Sequence, residues 1–126
     1  EEYLEQGAQQ VFAFGPILIS EGEINPTVLD PKYYPYNEPR VAIGMIEPYH
    51  YIVILVRGRP DNKYAGVHLD WLAQKLLDTG CTEALNLDGG ETATMLFMGK
   101  VIGSGGNALR SQGSLITFGT SNRVEQ

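Results

Sequence analysis

Leu69, Leu72, Ala73, Leu76 and Leu77 recur at the i, i+3, i+4, i+7, i+8 spacing of a single buried helical face, and Gly80 follows as a stop signal. This predicts a helix over 69–79 and with it a surface that the helix must cover. Asp70 in the first turn suits the positive end of that helix, and His68 stands just before it as a cap or as a contributor to a site. Around the helix the pattern changes to that of strands. Val41–Ile46 and Tyr51–Val56 are apolar runs joined by Glu47-Pro-Tyr-His50, a hairpin that leaves His50 exposed at its tip. The second run is apolar on both faces and is expected at the centre of a sheet. Ile17–Ile19 reads as a strand that begins in Val11–Phe14 and is interrupted at Gly15-Pro16, and Ser114–Phe118 reads as a closing strand. The expected architecture is α+β: a mixed, mostly antiparallel sheet with one main helix packed on it.

A chain of 126 residues suits one domain, expected over 11–119 between a polar segment (1–10) and a tail (120–126). The net charge of −6 argues against a nucleic-acid partner, because phosphate attraction would be reversed. No apolar run reaches the roughly 20 residues of a membrane-spanning helix. Two separated histidines and the lone Cys81 do not supply a zinc site of usual composition, so neither a metal nor a cofactor is expected. Cys81 reads as a buried thiol. Gly103–Ala108 formally fits a dinucleotide fingerprint, but no amphipathic helix follows to receive a pyrophosphate. Between Asn25 and Pro39, four prolines alternate with Tyr33, Tyr34 and Tyr36. That segment reads as an ordered loop whose tyrosines either pack on the domain or stack on a sugar, packing being favoured.

Ala84–Met95 is where polar groups interrupt strand-forming residues. Asn86 and Asp88 fall on one face of a strand, Gly89-Gly90 permits a sharp turn or a close backbone approach, and Thr92 and Thr94 share a face beyond it. A hairpin at Asp88-Gly-Gly would gather these four side chains around its bend. An ordinary Asp-Gly turn would use the same residues for nothing further. Arg40, Arg57, Arg59 and Arg110 are available to converge on one anionic group.

Six segments in the same order resemble the phosphodiester glycosidase domain family: Gly15–Gly22, Pro39–Gly44, Val56–Arg59, Gly66–Ala73, Ala84–Gly90 and Gly105–Arg110. The resemblance departs after Asp88-Gly-Gly, where this chain has Glu91-Thr-Ala-Thr-Met95 in place of a serine-richer run, with hydroxyls kept at Thr92 and Thr94. It also lacks the family's front strands, so the chain is expected to be part of a larger domain whose N-terminal portion is a partner of this one.

The resemblance implies hydrolysis of a sugar-1-phosphodiester carrying an N-acetylglucosamine-like sugar, in a secreted or extracytoplasmic setting. Its leaving group is a phosphate monoester, so charge stabilisation is the main demand. Arg40 and Arg110, with Arg59, are suited to hold the phosphate, helped by the amides of Gly89, Gly90, Gly105 and Gly106. Asp88, then Glu91, would place a carboxylate against the oxocarbenium-like centre. Asn86, Thr92 and Thr94 would orient Asp88 or bind sugar hydroxyls. The alternative is a non-catalytic module that binds a phosphosugar or a cell-surface polysaccharide through the same residues.

Overall fold

A computed structural model describes residues 2–8, 11–58, 66–106, 111–113 and 115–119, apart from the side chains of Leu4 and Glu91. A single turn of helix, α1 (Glu2–Glu5), precedes five strands that form one sheet: β1 (Ile17–Ser20), β2 (Glu23–Ile24), β3 (Arg40–Glu47), β4 (His50–Val56) and β5 (Glu83–Leu87). Their order is β2-β1-β5-β3-β4, and every neighbouring pair is antiparallel. The long helix α2 (Leu69–Asp78) links β4 to β5, and a separate two-stranded hairpin follows, β6 (Thr94–Phe97) with β7 (Lys100–Ser104). This is the expected α+β arrangement.

The helix forms where its periodicity places it. Leu69, Leu72, Ala73 and Leu76 are buried against the sheet, each leucine contributing about 1.5–3 kcal/mol relative to exposure. At the C-terminal end, the Thr79 amide donates to the carbonyl of Lys75, and Gly80 takes the left-handed conformation at φ +93°. The sheet face beneath the helix is built from small residues, since Ala42, Gly44 and Ala84 lie there and let the helix come close. Gly44 shows why: a Cβ at that position would stand 2.5 Å from Cys81 Sγ and 3.2 Å from Leu76 Cδ2. The buried Cys81 thiol, as expected, occupies core space.

Four expectations are corrected. Among the described residues Tyr51–Val56 belongs to an edge strand, β4, paired with β3 alone. Its apolar residues do not need a central position, because Ile52, Ile54 and Val56 face the core while Leu55, on the other face, lies under Gly103. The Asp88-Gly-Gly segment is not a hairpin: β5 and β6 belong to different sheets, and Gly90–Thr92 forms a single 3-10 turn between them. Residues 11–16 are irregular up to a cis Gly15–Pro16 peptide, so β1 begins only at Ile17. Residues 115–119 form no strand, and Ser114 lies outside the described residues. Among the described residues no helix is long and apolar enough to cross a membrane.

Replacing Gly44 by Ala is expected to destabilise the chain by about 1–3 kcal/mol through overpacking against Cys81 and Leu76. Urea midpoints should show that loss, and the Gly44→Ala, Cys81→Ala double variant should recover part of it.

Candidate functional site

Alternation along β3 and β5 decides which motif residues meet. The register pairs Ala42 with Asn86 and Val41 with Leu87, so Arg40, Ala42, Ala84 and Asn86 share the helix-facing side. Continued by one step, the same register sets Asp88 opposite Arg40. Close packing at the next residue agrees with this, since a Cβ on Gly89 would lie 3.2 Å from Arg40 Cα and 2.7 Å from the Pro39 carbonyl oxygen. Only glycine lets the chain leave the sheet at this point.

The three polar residues on that face have different fates. Asn86 is 4% exposed; its Nδ2 donates to the Gly15 carbonyl at 3.0 Å and its backbone amide to the Pro16 carbonyl at 3.1 Å. Its amide side chain therefore fastens the irregular 15–16 segment to β5. The Asn86 Oδ1 is buried without a hydrogen-bond donor among the described residues. Arg40 is 9% exposed and spends its guanidinium on the protein: Nε donates to the Val67 carbonyl at 3.3 Å, Nη2 to the Tyr36 carbonyl at 3.0 Å, and Nη1 pairs with Glu38 Oε2 at 3.2 Å. Burial lowers its pKa from the ordinary arginine value, and the Glu38 carboxylate pulls the other way. Asp88 alone of the three is exposed.

The glycine segments meet just beyond Asp88. The Gly90 amide donates to the Pro39 carbonyl at 2.9 Å, the Gly105 amide to the Ala93 carbonyl at 2.7 Å, and the Gly106 amide to Ser104 Oγ at 3.3 Å. These three N–H groups thus already have protein acceptors, so they form no open cradle for a phosphate. Gly105 has a steric reason to be glycine, because a Cβ there would run into the Gly90 carbonyl oxygen. Thr92 Oγ1 closes the 3-10 turn by donating to the Gly89 carbonyl at 2.6 Å. Thr94 opens β6 opposite Ser104, half-buried. The structure therefore brings Arg40, Asn86, Asp88, Gly89, Gly90, Thr92, Gly105 and Gly106 to one end of the sheet. Thr94 follows at the base of the hairpin.

Arg59, Arg110 and the side chain of Glu91 lie outside the described residues. His68 occupies the N-cap position of α2 but makes no side-chain cap hydrogen bond. Among the described residues no cluster of His, Cys, Asp and Glu is arranged to hold a metal ion.

Sequence reasoning missed Glu38 and the Tyr36 and Val67 carbonyls as partners of Arg40. A signal was present, since Arg40 shares an alternating face with Ala42 and Gly44, a row too small and apolar to leave a guanidinium in water.

The family model for phosphodiester glycosidases matches residues 1–118. The chain belongs to the phosphodiester glycosidase family. Among solved structures, the chain is similar to a crystal structure of a hypothetical protein from Synechocystis, with 28% identity and a TM-score of 0.57. That match covers 72% of this chain and 17% of the other, so the chain corresponds to a small part of that protein's length. None of the curated proteins matches. Membership in the phosphodiester glycosidase family supports a glycosidase-type hydrolytic function in general.

Arg40→Lys is expected to cost about 1–3 kcal/mol, because an ammonium cannot serve two carbonyls and a carboxylate with a planar fork. Chemical denaturation of the two forms side by side checks this.

Proposed function

We propose that this chain supplies the carboxylate-bearing wall of a site that hydrolyses a sugar-1-phosphodiester, with an N-acetylglucosamine-like sugar released from a phosphate monoester. One observation carries the reading. Asp88 is left exposed at the sheet end while its neighbours on the same face, Asn86 and Arg40, are committed to backbone acceptors. A carboxylate on a short, tightly hydrogen-bonded exit from a strand is well placed to face a cationic centre without moving.

In this reading cleavage occurs between the anomeric carbon and the bridging oxygen. The phosphate monoester leaves with both bonding electrons and needs little protonation. Positive charge develops at the anomeric carbon, and Asp88 either attacks that carbon, the resulting glycosyl ester then being hydrolysed by water, or takes the proton of a water that attacks it directly. Glu91 is the second candidate for that task. Arg40 contributes by holding its surroundings, its donors being engaged with Tyr36, Val67 and Glu38. Arg59 and Arg110 remain the proposed contacts to the phosphate, and Thr92 and Thr94 the proposed contacts to sugar hydroxyls. The setting we propose is extracytoplasmic.

A second reading is favoured by the occupied amides of Gly90, Gly105 and Gly106, three of the four glycine donors that a transition-state anion was expected to use. On that reading the same end of the sheet holds a phosphosugar or polysaccharide without turnover.

Asp88→Asn is expected to lower hydrolysis of the methyl phosphodiester of N-acetylglucosamine-1-phosphate by about 100- to 10,000-fold. Unfolding free energy should stay within roughly 0.5 kcal/mol of wild type, since the residue is exposed. Turnover unaffected by the change would remove Asp88 from the chemistry. Wild-type protein that binds the diester and forms no product would establish the binding module instead.

A further inference from the structure

The tyrosines of the 31–39 loop are not equivalent. Tyr34 packs against the core, as a loop tyrosine is expected to do. Tyr33 is exposed, with Lys32 Nζ 5.6 Å from its ring centroid. Tyr36 is 67% exposed, yet it is the residue whose carbonyl the buried Arg40 guanidinium holds. Pro35 restricts the backbone just before it, and just after it Glu38 is fixed in a two-way bridge to Val67, with N···O distances of 3.2 and 3.0 Å. A ring in water on so restrained a backbone gains nothing from burial. The backbone that carries the ring is nevertheless held, through the Tyr36 carbonyl, by the arginine that the register sets across from Asp88.

We infer that Tyr36 is the sugar-stacking residue of this site: its ring lies against the C–H face of the pyranose whose anomeric carbon meets Asp88, and Arg40 is the residue that positions it. The inference rests on the glycosidase reading for the role of Asp88. Tyrosine suits this task, because it offers a rigid apolar face with a polar tip and loses little conformational freedom on contact. A pyranose presents the complementary surface, with C–H groups on one side and hydroxyls around the rim.

The test compares Tyr36→Ala, Tyr36→Phe and Tyr36→Trp with wild type in two assays. One is turnover of the methyl phosphodiester of N-acetylglucosamine-1-phosphate; the other is calorimetric binding of N-acetylglucosamine-1-phosphate itself. Loss of the ring should raise KM and Kd by about tenfold, with kcat changed less than about threefold. Phe and Trp should hold both constants near wild type. Unchanged KM and Kd in Tyr36→Ala would overturn the inference. So would an equal loss in Tyr36→Phe, which would assign the effect to the hydroxyl. If wild type binds the sugar phosphate without turning over the diester, the glycosidase reading fails alone, and the Kd series still decides Tyr36. Wild type that does neither overturns both.

Discussion

A guanidinium taken out of water must be given back most of the hydrogen bonds it loses, and Arg40 meets that requirement in a way that organises one end of the molecule. Its acceptors come from the loop before β3 (Tyr36 and Glu38) and from the lead into α2 (Val67). Neither segment is regular enough to hold itself in place by strand pairing, apart from the single bridge between Glu38 and Val67. The arginine thus acts as a cross-link made of charge-assisted hydrogen bonds, each worth more than a neutral one. Desolvation lowers its pKa, but arginine begins so high that the cross-link stays charged in any ordinary medium. Beside it, Pro39 performs the same service for the chain leaving β5, its carbonyl accepting the Gly90 amide.

What could be read from the sequence follows the range of the interactions concerned. The helix was legible because burial of Leu69, Leu72 and Leu76 imposes a local period, and its end was legible because Gly80 adopts a conformation other residues avoid. The position of β4 at the edge was not. An edge strand lacks one pairing partner, and that is a property of other segments; its own composition stays apolar as long as the core covers one face and the β6–β7 base part of the other. The Asp88-Gly-Gly bend failed for a related reason. Asp-Gly favours a tight hairpin locally, but the Gly90 amide pairs with Pro39 and the Ala93 carbonyl with Gly105, partners that no short window contains.

For the candidate site, face was legible and role was not. Alternation correctly set Asn86 on one side of β5, yet it gave no hint that the 15–16 segment would cover this side chain and consume its donor. The same applies to the glycines. Their spacing marks a place where backbone must pass close to something, and sequence reasoning supplied a phosphate as that something. In the fold it is other backbone: Gly89 against Pro39, and Gly105 against Gly90.

This changes which residues carry chemical information. If the Asp88-Gly-Gly and Gly105-Gly segments are close because their backbones interlock, then their glycines and the buried Arg40 and Asn86 describe a scaffold, and chemistry must be sought in what that scaffold leaves exposed. Asp88 meets that description, and so does Tyr36, one held by the exit from β5 and the other by Arg40. The chain on either side of each is held by hydrogen bonds, Gly90 to Pro39 beyond Asp88 and Tyr36 itself to Arg40, so less backbone has to be ordered when a ligand arrives. A carboxylate and an aromatic ring carried on such backbone at one end of one sheet would suit a sugar as proposed, the ring against its apolar face and the acid at its electron-poor carbon.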